Sequence, residues 1–286
     1  MHRRSRRWTI ARTIGAATVA LAATAGSAAA AAPAAPPVQR IVTANVDFTS
    51  SPAGERSQVA HVLATRPGIV LLQEVRELRL AAPGGPVPRL DKYGIVQFWR
   101  AGPFKRASAI LFKKPRFRLV DKGLAVGYEG RGRVDPPARY LPWAVLEERR
   151  TGRRLAVISV HMPKASLSNA FHRDAYKAMI GHYQQLVTGF RNGRRIPVIA
   201  GGDWNQDLSD RNPVAWGAIT GNHRAGLRTN WELGRPCPST IASGGRFDGF
   251  GLRTGPVTLL QQGCLAAHTS DHRPVWMTVQ LTGGAA

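Results

Sequence analysis

The chain has 286 residues, of which 40 are Lys or Arg and 17 are Asp or Glu, a formal charge of +23. Its 43% hydrophobic fraction excludes a wholly disordered polyelectrolyte, and two cysteines exclude a disulfide-rich scaffold or a four-cysteine zinc site. The basic excess stays large without the five arginines of the first twelve residues; it suits a polyanion partner (nucleic acid, anionic lipid or cell-wall polymer) or is a solvated arginine-rich face.

Residues 1–32 read as a secretory signal. Arginines at 3, 4, 6, 7 and 12 precede an apolar, Ala-rich stretch from Ile14 to Gly26, and small residues suited to cleavage follow from Ser27. Ser5-Arg6-Arg7 leaves the twin-arginine route open, and an uncleaved anchor is the alternative reading. Residues 33–37 form a short linker, and 38–282 form one domain. No later stretch has the roughly 18 unbroken apolar residues of a membrane span. The expectation is a secreted, extracellular monomer with no stable membrane insertion. Outside the cytoplasm a disulfide persists, so Cys237 and Cys264 are expected to pair.

In chain order, strands are predicted at Val38–Phe48, Pro67–Val75, Tyr93–Trp99, Ala107–Phe112, Phe117–Val120 and Tyr140–Glu147. A two-residue turn at Thr151-Gly152 then leads into a strand at Leu155–His161, and further strands follow at Ile196–Ala200 and Pro274–Leu281. Helices are predicted at Glu55–Thr65, with Val59, Val62 and Leu63 on one face, and at Ser168–Phe190, which Asn192-Gly193 ends. Two helices among many strands imply helices packed outside stacked sheets, a layered α/β architecture.

Several apolar strands stop at polar groups with no use in packing. Ile41 to Ala44 runs into Asn45, Ile69 to Leu72 into Gln73-Glu74, Val157 to Val160 into His161, and Val198 to Gly202 into Asp203-Trp204-Asn205. Asp271-His272 precedes the last strand. Turn chemistry explains any one of these stops. A Glu or His directly after a buried apolar run is different, because buried charge is costly unless paired or metal-bound. Glu74, Asp271 and Asn45 are oxygen donors that suit a hard cation, Mg²⁺ or Mn²⁺. His161 and His272 can exchange protons near neutral pH or balance phosphate charge, and Asp203 and Asp248 can orient a histidine or a water. With no HExxH, GxSxG or phosphate-loop motif in the chain, this set suits water attack on a phosphate ester.

The order Asn45, Gln73-Glu74, Ser159-Val160-His161, Gly202-Asp203-Trp204-Asn205, Asp248 and Ser270-Asp271-His272-Arg273-Pro274-Val275 resembles the endonuclease/exonuclease/phosphatase superfamily, the deoxyribonuclease I-like fold. The resemblance spans essentially the whole of the chain after the signal. It implies a four-layer α/β/β/α sandwich with the site at one edge of the paired sheets, and Mg²⁺-dependent hydrolysis of a phosphate ester. By matching motif, Glu74 is the main metal ligand with Asn45 and Asp271 near it. Asp203 and Asn205 position the attacking water and the phosphate. His272 with Asp248 forms a base-type or phosphate-stabilising dyad. His161 donates to a phosphate oxygen or the leaving group; Asp135, Glu147 and Glu148 are the acids placed to partner it. A histidine at this place sets the chain apart from the abasic-site repair branch.

The expected substrate is a DNA or RNA backbone, and the nucleic-acid contacts are assigned to Arg149, Arg150, Arg153 and Arg154, which flank the Thr151-Gly152 turn. The alternatives are a sphingomyelinase-like lipid phosphodiesterase, with Tyr140-Leu141-Pro142-Trp143 the nearest thing to a bilayer-docking hairpin, a soluble phosphatase, and a binding protein that has kept the fold.

Overall fold

The computed structural model describes residues 36–47, 49–76, 87–98, 107–130, 138–164, 169–210 and 213–282. The signal and most of the linker read from the sequence lie outside them, as do Phe48, Trp99, Asp135 and Ser168. Among the described residues, no helix is long and apolar enough to cross a membrane.

One sheet joins β1 (Val38–Asn45), β2 (Ile69–Gln73), β3 (Tyr93–Val96), β4 (Ser108–Lys113), β11 (Val257–Cys264) and β12 (Val275–Leu281) in the order β11-β12-β1-β2-β4-β3. The other joins β5 (Phe117–Tyr128), β6 (Arg139–Glu148), β7 (Arg154–His161), β8 (Val198–Asp203), β9 (Arg228–Thr229) and β10 (Asp248–Leu252) in the order β5-β6-β7-β8-β10-β9. Helix α1 (Pro52–Ala64) covers the first sheet, and α2 (Ala170–Thr188) and α3 (Ala218–Arg224) belong to the second. Alternation along the strands divides the core. Ile41, Ile69, Leu71, Val157, Ile199, Phe250 and Met277 fill the space between the sheets. Val42, Val70 and Leu72 meet Val59, Val62 and Leu63 of α1, while Ile158, Val160 and Ala200 meet Tyr176, Met179 and Tyr183 of α2. Strands apolar on both faces are what such layering requires, and the result is the α/β/β/α sandwich of the deoxyribonuclease I-like fold.

The helices start where local chemistry puts them. Ser51 caps α1 by accepting from Gly54 N at 3.1 Å with Pro52 at the first position, and Asn169 caps α2 by accepting from the amides of Phe171 and His172. Helix α2 ends at Thr188 and passes into a π-helical turn at Gly189–Gly193. Strand β5 runs on to Tyr128, well past the expected Val120, because shifts in register near Leu119 and Val126 break the alternation that marks a strand in the sequence. β11 and α3 have no counterpart among the predicted elements. The β6–β7 connection is a turn over residues 149–153 rather than a two-residue one. Glu148 closes it, its carboxylate accepting from Thr151 N and Oγ1 at 2.8 and 2.7 Å. Tyr140 to Trp143 lie within β6, where Leu141 is fully buried, so they form no docking hairpin.

The pairs β1–β2 and β7–β8 are parallel, so Asn45, Gln73, His161 and Asp203 all end their strands at one rim. β10 runs antiparallel to β8 and β12 antiparallel to β1, so Asp248 and the residues before Val275 begin their strands at that same rim. Just beneath it a buried polar pin joins the sheets. Ser159 Oγ on β7 donates to Leu72 O at 3.0 Å and accepts from Gln73 Nε2 at 2.9 Å, and Thr43 Oγ1 contacts Gln73 Oε1 at 3.3 Å. Gly202 keeps β8 close to β7, since a Cβ there would meet Val160 O at 1.7 Å. Gly202→Ala should therefore lower the unfolding free energy by about 3 kcal/mol or more, because backbone rather than a flexible side chain blocks the methyl. Urea unfolding curves with wild-type stability would remove this reason for the glycine.

Candidate active site

At this rim the groups singled out by the sequence converge. Asn45, His161, Asp203 and Asp248 are all buried, with Asp248 at 0% exposure, whereas the Glu74 side chain keeps 27%. Glu74 and Asn205 both adopt left-handed backbone, φ 54° and 49°, which turns each strand end sharply back toward the cluster. Asn45 Nδ2 donates to Glu74 Oε1 at 3.0 Å and to Asp203 Oδ2 at 3.1 Å. Its Oδ1 is taken by the amide of Asp47 at 3.0 Å. Asn45 therefore holds the two carboxylates in place through its amide nitrogen, while its oxygen accepts from Asp47 N.

Asn205 also serves Asp203. Its backbone N donates to Asp203 Oδ1 at 2.8 Å, and Nδ2 donates to Asp203 Oδ2 at 3.2 Å and Met162 O at 3.0 Å. Both side-chain hydrogens have protein acceptors, so Asn205 braces Asp203 at this rim. The Asp203 carboxyl is raised to about 7 by burial and then by Asp248, against the pull of His272 and of the hydrogen bonds from Asn205 and Asn45.

Asp248 and Asp203 are directly paired across β8 and β10. Asp248 Oδ2 accepts from His272 Nδ1 at 2.7 Å. Burial alone would push His272 down; Asp248, by charge and hydrogen bond, and then Asp203 and Asp271 outweigh it and raise the imidazole to about 10. His161 goes the other way. Its Nε2 lies 3.4 Å from Glu74 and 3.8 Å from Asp203, yet burial, reinforced by the positive charges of Arg139 and His272, holds it well below the usual histidine range. Glu74 and Asp203 are thus the acids beside His161. Glu147 instead pairs with Arg118 and Arg154, and Glu148 is committed to its turn.

Two groups of side chains here could hold a metal ion: Glu74, His161 and Asp203, and Asp203, Asp248 and His272, each with ligand atoms within 4.8 Å of one another. A fully buried Asp248 Oδ1 with no hydrogen-bond donor among the described residues adds to the excess of acceptor oxygen. Such a donor set fits a hard divalent cation. Asp271 belongs to neither group; its side chain is 71% exposed, with Oδ1 3.9 Å from His272 Nε2.

Two contributors were missed by the sequence reading. Arg139, opening β6, supplies positive charge beside His161. Thr240, fully buried, accepts through Oγ1 from the amides of Phe247 and Asp248 at 3.0 and 3.2 Å, and its carbonyl accepts from Arg273 N at 2.7 Å. It thereby joins the segment that carries Asp248 to the one that carries His272. The expected disulfide between Cys237 and Cys264 is present and anchors this Thr240 segment to the end of β11. The four hairpin arginines are elsewhere. Arg154 starts β7 and His161 ends it, so the hairpin lies about 23 Å from the site at the usual rise of a strand. Arg149 Nε there donates to Lys114 O, and Arg154 Nε to Glu147.

A model of the Endonuclease/Exonuclease/phosphatase family matches residues 42–272. No curated protein matches the chain by sequence. Among solved structures, an endonuclease/exonuclease/phosphatase from Bacteroides vulgatus is 14% identical with a TM-score of 0.65, covering 86% of this chain and 99% of its own. A mannosyl-6-phosphatase from Bacteroides thetaiotaomicron is 15% identical, with a TM-score of 0.63 over 84% and 99%. D. rerio TDP2 complexed with a single-strand DNA product is 20% identical, with a TM-score of 0.62 over 85% and 99%.

Two outcomes follow from this geometry. The folded protein keeps the His272 proton from the ordinary histidine value of about 6.5 up to about 10, whereas the unfolded chain loses it. Stability of the metal-free protein should therefore be greatest below that window and decline as pH rises through it, with a flatter decline in Asp248→Asn. Equal slopes in urea titrations of the two proteins would exclude the dyad as the cause. Breaking the disulfide with Cys237→Ser opens a link spanning 27 residues, for an expected loss of roughly 3 kcal/mol. Misplacing Asp248 and His272 should also slow turnover by about tenfold or more. A variant with lowered melting temperature and unchanged kcat would show that the link serves the fold alone.

Proposed function

The chain belongs to the endonuclease/exonuclease/phosphatase family and is a metal-dependent phosphoric ester hydrolase, and from that premise we propose that it is a secreted, Mg²⁺- or Mn²⁺-dependent phosphodiesterase that cleaves a DNA or RNA backbone. The observation that carries the reading is the convergence of Glu74, His161, Asp203, Asp248 and His272 at one rim, with ligand atoms close enough to share a cation and a His272–Asp248 dyad beside them. The proposed extracellular setting is supported by the signal-like pattern of residues 1–32 and by the disulfide. A nucleic-acid substrate is supported by the charge of +23 and by the likeness to a solved structure holding a DNA product. Tyr140 to Trp143, the segment nearest to a bilayer-docking hairpin in the sequence, are part of β6 and so do not support a lipid substrate.

Glu74 and Asp203, with His161 beside them, would hold the cation. When bound, it supplies charge that draws electron density from the phosphate oxygens. Asp203, fixed by hydrogen bonds from Asn45 and Asn205, would orient the attacking water and take its proton through the oxygen that the cation leaves free. His272, cationic at neutral pH, balances the negative charge that grows on the phosphate and can return a proton to the leaving oxygen. His161 is neutral and donates a hydrogen bond without adding charge. With His272 already protonated, the acceptor is the carboxyl group and the dyad is the charge partner.

Plasmid DNA, RNA, sphingomyelin and mannose 6-phosphate offered side by side, with Mg²⁺ or Mn²⁺ and then with excess chelator, test the reading. Nucleic-acid cleavage should require the metal, and Glu74→Gln and His272→Ala should each lose about a hundredfold or more in kcat. KM for nucleic acid should rise steeply with salt, since each neutralised phosphate contributes a slope of roughly −0.9 in log binding against log salt on duplex DNA. Sugar-phosphate hydrolysis without nucleic-acid cleavage would make the protein a phosphomonoesterase instead, and full activity in chelator would overturn the mechanism.

A further inference from the structure

At the end of the sandwich opposite the site, the chain crosses from one sheet to the other between β4 and β5, and there it meets the β6–β7 turn. The two segments are latched. Arg149 N donates to Arg116 O at 2.9 Å, Arg149 Nε to Lys114 O at 3.0 Å, and the Arg116 guanidinium to Val38 O. Lys113 N and Lys114 N are held in turn by Gly68 O and Lys92 O. Between the segments is a recess of about 400 Å³ lined by Lys113, Pro115, Arg116, Glu148, Arg149 and Arg150. Four of these six are cations. The one acid, Glu148, is buried and already accepts two hydrogen bonds from Thr151.

The cations crowd one another. Burial lowers the Arg116 pKa; Glu148 resists this, and the positive charge of Arg150 adds to it. Self-repulsion of this kind is relieved by a bound anion. The fixed backbone contacts of Arg116 and Arg149 mean that little side-chain freedom is lost on binding. The volume falls within the range of small-ligand sites, and a single monovalent anion would leave most of the charge unbalanced. Guanidinium groups pair in forked geometry with phosphate oxygens.

We propose that this recess is a second, non-catalytic site that binds a clustered-phosphate anion, meaning two or more linked phosphate groups. The eight-residue β7 spans the distance between the recess and His161, about 23 Å, so the phosphates seated in the recess lie clear of Asp203. It retains the enzyme on its ligand and takes no part in hydrolysis. The phosphates can belong to a free oligophosphate or to a nucleic-acid strand.

Tripolyphosphate titrated calorimetrically into the full chain, in excess chelator, is the probe. The wild type should show one saturable site whose affinity falls with salt and exceeds that for orthophosphate by about tenfold or more. Lys113→Gln should weaken binding by about tenfold and Lys113→Gln/Arg116→Gln by about a hundredfold, one lost charge-assisted contact at each step. His272→Ala should leave the affinity unchanged, and hydrolysis of a small chromogenic phosphodiester should be the same in wild type and in the Lys113 variant. Loss of the Arg116 contact to Val38 could unfold the double variant, in which case the single Lys113 variant decides. Undiminished binding in Lys113→Gln, or loss of binding in His272→Ala, would overturn the proposal. Displacement of tripolyphosphate by a short oligonucleotide would support the nucleic-acid source, and its failure the free oligophosphate.

Discussion

Two carboxyl groups almost out of contact with water face each other across adjacent strands, and the imidazolium of His272 is what makes that arrangement tolerable. Asp203 and Asp248 are Cα partners in the β8–β10 ladder, at 2% and 0% exposure. Two carboxylates alone in such a place would both be driven to take up protons. His272, 2.7 Å from Asp248, sets a positive charge against the pair, while burial and then Asp248 raise Asp203 to about 7. A buried pair of this kind contributes little net stability, since desolvation offsets most of its attraction, but the loss of one partner would be severe. The geometry must therefore be held by other means. Thr240, the disulfide behind it, and Ser270, whose Oγ donates to Asn45 O at 2.9 Å and accepts from His272 N, hold the segment that carries the imidazole.

The architecture turns this local requirement into a complete site. Parallel pairing brings the ends of β1, β2, β7 and β8 to one rim, and antiparallel neighbours begin there. The polar pin of Thr43, Gln73 and Ser159 fixes the offset of the two sheets directly below that rim. Apolar packing alone tolerates sliding by fractions of an ångström; buried hydrogen bonds between specific atoms do not. A shift of that size would separate Glu74, on one sheet, from His161 and Asp203, on the other.

What the sequence showed and what it hid follow from the range of the interactions. The strand ends at Asn45, Glu74, His161 and Asp203 were legible because an apolar run followed by a polar group is a local contrast. The layered fold was legible because two helices among many strands leave the sheets to stack on each other with the helices outside. Thr240 was not legible, since its importance lies in hydrogen bonds to Asp248 and Arg273, which neither spacing nor residue type announces. The direction of the Asn45 amide was hidden for a similar reason: it is set by hydrogen bonds to Glu74, Asp203 and the backbone N–H of Asp47. Strand β5 was cut short because its bulges break period-two alternation. The hairpin arginines looked suited to the substrate because charge clusters carry no information about which end of a strand they occupy; pairing shows that they start the strand that His161 ends.

The two histidines show why residue type sets only the possible roles. Both lie at the same rim, near the same acids, and both experience desolvation that favours the neutral ring. His272 has a short hydrogen bond to a carboxylate and two further acids near it, and these outweigh burial. His161 has carboxylate oxygens at 3.4 and 3.8 Å, beyond good hydrogen-bond distance, and has two cations, Arg139 and His272, in its field. The protonation of His272 thus helps keep His161 neutral. A site with two cationic rings would bind phosphate strongly in every state and hold its product; a site with two neutral rings would leave the charge that grows in the transition state without a fixed partner. One of each would allow a hydrogen bond on one side of a bound phosphate and a charge on the other.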